Sequence, residues 1–173
     1  TMVHDARQLG GQRYRETFGR SYEDFVVGDV YEHRPGRTIT QADNTWFTLL
    51  TMNTHPLHFD EEYGRASEFG RCIVASPLTV AILVGMSVTD VSQKAIANLG
   101  WREIRLTQPV FPGDTLYAES EVLETRESKS RPEAGVVTVR TTGRNQDGVV
   151  VCTFERTILV AKRGHSVEDR IDY

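Results

Sequence analysis

The run Thr51-Met52-Asn53-Thr54-His55-Pro56-Leu57-His58-Phe59-Asp60 gathers two imidazoles, a carboxamide and a carboxylate around one proline. Imidazole is the side chain whose ordinary titration range spans neutrality, so it can take a proton from water and return it at working pH. A carboxamide does not titrate, so Asn53 can only orient a partner. Histidines three apart beside an acid also raise a metal site. Closed sites usually need four ligands, and no matching cluster occurs elsewhere in the chain, so no metal is expected. The same residues also fit a purely architectural role, with His58 bonded to backbone and Asp60 capping a turn through Glu61, Glu62 and Tyr63. Local chemistry alone leaves both readings open.

The elements around this run are expected to hold it rigidly. Thr40 and Asp43 stand three apart like a capping box. Trp46, Phe47, Leu49 and Leu50 follow at helical spacing, which predicts a packed helix from about Gln41 to Thr51. Pro56 removes a backbone donor and pushes His55 toward an extended conformation, so residues 53–56 are expected to cross as a loop. A packed helix entering a stiff turn can hold polar side chains at a pocket wall within a fraction of an ångström.

Downstream, Ser76 and Pro77 read as cap and first position of a second helix. Its residues Leu78, Val80, Ala81, Ile82, Leu83, Val84, Met86, Val88 and Val91 are apolar on nearly every side, so it must be enclosed. The enclosure is expected from strands over Trp101–Val110, Thr115–Arg126, Val136–Gln146 and Val149–Val160, rich in β-branched residues. Phe111-Pro112-Gly113-Asp114 and Asp147-Gly148 read as turns, and 128–133 as a hairpin loop, which predicts an antiparallel sheet. On the third strand Val137, Val139 and Thr141 share one face while Thr138, Arg140 and Thr142 share the other. With a further strand at Val30–Thr38, the pattern predicts an α+β hot-dog fold, a curved antiparallel sheet wrapped around one long helix. Its open edge predicts pairing with a second copy, as a homodimer or a larger homo-oligomer.

The 173 residues, 39% of them hydrophobic, are enough for one domain with a real core. That domain is expected over 21–161, with residues 1–20 as an N-terminal arm or flexible lead and 162–173 as a polar tail. The formal charge of −4 is spread as 20 Lys+Arg against 24 Asp+Glu, with no basic stripe for nucleic acid and no polybasic anchor for a membrane. The apolar run over 73–88 is broken by Ser76, Pro77, Thr79, Gly85 and Ser87, whereas a membrane span needs about twenty mostly apolar residues. Cys72 and Cys152 sit among apolar neighbours and fit reduced thiols in a cytoplasmic protein.

Asn53-x-His55-Pro56-Leu57-His58, followed by Phe69-Gly70-Arg71-Cys72-Ile73-Val74 and the buried helix, resembles the MaoC-like, R-specific enoyl-CoA hydratases, over roughly Tyr22 to Val160. In that family the loop reads Gly-Asp-x-Asn-Pro-Leu-His, its aspartate and histidine holding the reacting water. Pro56-Leu57-His58 agrees with it, so the resemblance gives His58 the role of base and acid. Met52 stands for the glycine, Asn53 for the aspartate and His55 for the asparagine, while Ala75 and Ser76 replace a His-Gly pair. Asn98-Leu99-Gly100-Trp101-Arg102 and Pro109-Val110-Phe111-Pro112-Gly113-Asp114 are similar to members acting on branched dicarboxylic thioesters such as mesaconyl-CoA or itaconyl-CoA.

The resemblance therefore implies reversible addition of water across the α,β double bond of an acyl-CoA thioester, with no cofactor beyond the coenzyme A of the substrate. Such chemistry needs a base for the water proton and donors where enolate charge develops. His58 is the expected base, Asn53 its water-orienting partner, and His55 a support or a substrate contact. The backbone N–H of Ser76 or Leu78, at the start of the second helix, is the expected oxyanion donor. Arg71, Arg102 and Arg105 are the candidate cations for coenzyme A phosphates, and Arg71 or protonated His55 for a second carboxylate. Two other functions stay open on such a scaffold, an acyl-CoA thioesterase and a non-catalytic acyl-CoA-binding module.

Overall fold

In the computed structural model, which describes residues 5–171 and 173, a five-stranded sheet curls around one helix. In chain order the elements are β1 (Asp5–Gly10), β2 (Arg13–Thr17), β3 (Val30–Thr38), α1 (Gln41–Leu50), α2 (Glu61–Ala66), α3 (Ser76–Met86), β4 (Ala95–Leu106), β5 (Thr115–Glu127), β6 (Ala134–Arg144), β7 (Val150–Ala161) and α4 (Val167–Arg170). Short helical turns at Tyr22–Asp24, Pro56–His58 and Val88–Ser92 link them. This is the α+β hot-dog arrangement expected from the pattern.

The main sheet runs β3-β5-β6-β7-β4 with every neighbouring pair antiparallel. The β5–β6 and β6–β7 connections are the expected hairpins; at the second, Gly148 N–H donates to Asn145 O and Gly148 takes a φ of 76°. The Phe111–Asp114 turn also forms, through Asp114 N–H to Phe111 O. It does not close a hairpin. β4 begins six residues earlier than expected, crosses to the far edge and pairs only with β7.

The core forms where α3 meets the sheet. Leu78 and Leu83 of α3 pack with Ile39, Leu116, Val151 and Phe154, all buried. Gly143 of β6 permits the closest approach, because any Cβ there would overlap the Leu83 side chain. A second apolar layer joins Phe25, Val91, Val122, Val137, Val139 and Ile158. Val137, Val139 and Thr141 are fully buried and Arg140 is exposed, but Thr138 is buried as well, so the expected alternation holds only in the second half of β6.

Four expectations are corrected. Residues 5–17 of the supposed lead form an antiparallel hairpin, while residues 1–4 lie outside the described part. The polar tail contains α4, capped by the buried Ser166 through a capping box with Asp169. The α3 cap is Ala75, which offers no side-chain bond, and Ser76 is already helical. Finally, α3 is covered on one side only. Pro77, Ala81 and Gly85 remain exposed, because a single sheet wraps half of a helix. Cys72 and Cys152 are buried and unpaired. Among the described residues no helix is long and apolar enough to cross a membrane.

Candidate functional site

α1 starts as expected. Asp43 accepts from Thr40 N–H at 2.7 Å, and this bond holds its carboxyl below the usual carboxylate range, while Thr40 Oγ1 accepts from Asp43 N–H at 3.2 Å. The packed face is only partly the expected one, with Phe47 alone of the four apolar residues packed against the core. Trp46, Leu49 and Leu50 are exposed, and the buried positions are Asn44 and Thr48. The signal for this was present as a polar stripe, Gln41, Asn44 and Thr48, at three- and four-residue spacing.

The chain leaves α1 through Met52, whose φ of 56° is left-handed, at the position where the resembling family carries glycine. Asn53 follows, its N–H bonded to Thr48 O at 2.9 Å and its Oδ1 accepting from His55 N–H at 3.0 Å. This side-chain turn fixes the loop. His55 Nδ1 in turn accepts from Leu57 N–H at 3.2 Å, so in the neutral ring the proton sits on Nε2. His55 is exposed and its ring centroid lies 5.7 Å from that of His58. Asp60 caps α2 by accepting from Tyr63 N–H at 3.0 Å, as the architectural reading foresaw.

His58 is half-buried, and its Nδ1 lies 2.9 Å from Ile73 O. A carbonyl only accepts, so Nδ1 carries the hydrogen and the neutral ring keeps its Nε2 lone pair free. The segment supplying that carbonyl is held from three sides. Ile73 N–H donates to Leu57 O, Val74 N–H to Val110 O at 2.8 Å, and Gly64 of α2 lies so close that a Cβ would stand 2.6 Å from Cys72 N. Burial raises the Cys72 thiol, and Glu61 and Asp60 add to this, so it stays protonated.

Three residues beyond Ile73, α3 begins. The Ser76 N–H has no partner among the described residues, whereas Leu78 N–H is committed to Ala75 O at 2.9 Å. Of the two expected oxyanion donors only Ser76 is therefore available, because the first turn of α3 closes tightly on Ala75. Ser76 opens on a cleft of about 240 Å³ lined also by Phe69, Ile73, Thr79, Leu106 and Gln108. A helix N-terminus beside an apolar cleft favours developing negative charge.

The three arginines separate. The Arg71 guanidinium lies 3.8 Å over the Phe111 ring, in a neighbouring cleft of about 280 Å³ shared with Gln41, Glu61 and Arg65. Arg102 bonds Glu155 at 2.6 Å and Arg105 bonds Glu103 at 2.7 Å, both on the edge strand β4. Neither makes a hydrogen bond or ion pair to the 51–60 loop. Among the described residues no group of three or more His, Cys, Asp or Glu could hold a metal ion.

Comparison with known proteins finds relatives over most of the chain. The family model for mesaconyl-CoA hydratase matches residues 7–170, which takes in both the β1–β2 hairpin and α4. The chain is 38% identical over 145 residues to a mesaconyl-CoA hydratase of Cereibacter sphaeroides, covering 84% of this chain and 42% of that one. It is 36% identical over 145 residues to a beta-methylmalyl-CoA dehydratase of Chloroflexus aurantiacus, covering 84% and 41%. Among solved structures, a Mycobacterium tuberculosis protein with a double hotdog fold superposes with a TM-score of 0.77 at 24% identity, over 83% of this chain and 44% of that one. The chain thus spans about two fifths of the length of these two relatives.

Proposed function

Because the chain belongs to the mesaconyl-CoA hydratase family, we propose that it is a hydro-lyase that adds water reversibly across the α,β double bond of a branched dicarboxylic enoyl-CoA. The observation that carries this reading is the His58 ring, tethered through Nδ1 to Ile73 O with Nε2 free, Ile73 itself standing three residues before the unspent Ser76 amide. In the forward direction His58 Nε2 takes a proton from water as the oxygen bonds to the β-carbon. The π electrons move to the thioester oxygen, which Ser76 N–H receives at the positive end of α3. The same imidazole then returns its proton to the α-carbon. Atoms balance as one water added, and no cofactor is needed beyond the coenzyme A of the substrate.

In a mesaconyl-type thioester the second carboxylate is bonded to the carbon that receives the water. His55, 5.7 Å away ring to ring with its Nε2 proton outward of the Leu57 bond, suits that carboxylate better than Arg71, which is stacked on Phe111. Asn53 retains one Oδ1 lone pair and its amide donors to orient the water. Of the three candidate arginines, Arg71 alone lines a cleft next to α2, so it remains the candidate for coenzyme A phosphates.

The proposed partner is a second hot-dog unit. Trp46, Leu49, Leu50 and Met52 beside the loop are 65–87% exposed, and the edge strand β4 exposes Ile96, Leu99, Trp101, Ile104 and Leu106. Apolar surface of this extent marks an interaction site. A second copy, or a second unit as in the double hotdog fold of the Mycobacterium tuberculosis protein, would cover it and wall the cleft. Two free buried thiols favour a reducing, cytoplasmic setting.

The test is a panel of mesaconyl-CoA, itaconyl-CoA and crotonyl-CoA, with product mass and chirality read by chromatography. The proposal expects water-adduct formation, most efficient with a dicarboxylic thioester. Release of free thiol would instead identify a thioesterase, and saturable binding without turnover a binding module.

A further inference from the structure

Asn44 is completely buried on α1, and a carboxamide in such a place must have its polar atoms satisfied. Its Nδ2 donates to His58 O at 2.8 Å and to Ile73 O at 2.9 Å, while its Oδ1 accepts from Ala75 N–H at 2.9 Å. None of the three partners lies on α1. The first is the backbone of the proposed base. The second is the carbonyl that takes the base's Nδ1 hydrogen. The third is the amide directly before Ser76, the proposed oxyanion donor.

We infer that Asn44 is the positioning residue of the site, one side chain that sets the base, the acceptor governing its tautomer and the peptide presenting the oxyanion donor relative to one another. The amide hydrogens and carbonyl of one planar group span these segments, so a shift of any one strains the other two. Gln41, one turn earlier, adds a second lock by donating through Nε2 to His58 O at 2.8 Å. Packing alone would fill the position with an apolar residue; the carboxamide is needed because backbone groups from two segments converge there. Catalysis is sensitive to such placement, since a misalignment of about 1 Å can cost about 10²-fold.

The kinetic arm of the test rests on the hydratase reading, while the spectroscopic arm does not. In Asn44→Ala, His58 O keeps Gln41, but Ile73 O loses the bond that holds it opposite His58 Nδ1 and the Ala75 amide loses its partner. The variant is expected to lower kcat up to about 10²-fold with KM changed little. Nitrogen-15 spectra of the His58 ring should pass from the Nδ1–H tautomer to a mixture. Gln41→Met, on a partly exposed position, should reproduce both effects more weakly. An unchanged kcat and an unchanged ring tautomer in folded Asn44→Ala would overturn the inference, even with His58→Ala inactive. If Asn44→Ala does not fold, the same two readings in Gln41→Met decide. If the wild-type protein hydrates no thioester, the hydratase reading falls and the tautomer alone decides the role of Asn44.

Discussion

The two ends of α3 each carry a histidine, and they are built to opposite purposes. At the N-terminal end His58 is half-buried, with one ring nitrogen bonded to Ile73 O and the other without a bond among the described residues. At the C-terminal end His33 of β3 is fully buried with both nitrogens engaged. Its Nδ1 meets Asp90 Oδ2 at 2.8 Å, its Nε2 meets Ser120 Oγ at 2.7 Å, and Ser120 continues to Thr141 Oγ1 at 2.8 Å. By distance alone this serine, histidine and aspartate form a nucleophile, base and orienter. No substrate can reach them, because Ser120 and His33 have no exposed surface.

The lesson is that a free nitrogen with access, more than a short hydrogen bond, separates chemistry from architecture. The C-terminal network ties the helix to the sheet. Arg156, also buried, donates to Ser87 Oγ at 2.9 Å, leaves its Nε without a partner, and is pushed down to about 10 by burial. A cation at a helix C-terminus opposes the helix dipole favourably. The N-terminal end leaves its Ser76 amide unspent.

The strongest way to break this contrast is His58→Ala. Loss of a general base should cost about 10²–10⁴ in kcat/KM, with the thermal midpoint nearly unmoved, since the ring makes one backbone bond. Retained hydration in a folded variant would remove His58 from the mechanism.

His33→Ala should do the reverse. Losing the ring's bonds to Ser120 and Asp90 and its buried volume is expected to cost about 1–3 kcal/mol in urea unfolding, while kcat per folded molecule at low temperature stays close to wild type. The two should also part in pH dependence. Burial holds the His33 ring below its ordinary value, against the opposing pull of Asp90. The unfolded chain therefore binds the proton more readily than the folded one, so this contribution is present above about pH 6.5, the ordinary imidazole value. It is lost as pH falls from there through the depressed folded value. Urea midpoints measured from pH 7.5 downward should decline in the wild type and less steeply in the His33 variant; parallel slopes would show that His33 is not the titrating group.

A smaller effect sharpens the N-terminal side. Met52 holds a left-handed φ of 56°, which costs a non-glycine residue roughly 1–2 kcal/mol. Met52→Gly should raise stability by up to about 1 kcal/mol, the strain relief being partly offset by glycine's greater unfolded entropy. A loss of stability would mean that the methionine side chain is held by packing. Smallest is Arg102→Ala. Its side chain is 66% exposed and Glu155 keeps Arg140 at 2.8 Å, so urea unfolding should shift by less than about 1 kcal/mol.

Much of this was legible along the chain because it depends on neighbours in sequence. The Thr40–Asp43 box, the Pro56 bend, the Asp60 cap and the Asp147-Gly148 hairpin are decided by groups within a few residues of one another, where the backbone itself limits the choices. The role given to His58 came from the resemblance and not from its local setting, while the β3 boundaries fell at Val30 and Thr38 as expected.

Other features were decided only by folding, because their partners are far apart in sequence. Asn44 reaches across 14, 29 and 31 positions to its three partners. His33 and Ser120 are 87 positions apart, and nothing in the local sequence of either announces a buried pair. The far-edge course of β4 and the identity of the free nitrogen on His58 both follow from which distant strand or carbonyl arrives. Sequence chose the groups able to move a proton; tertiary contacts chose which of them keeps a lone pair unspent.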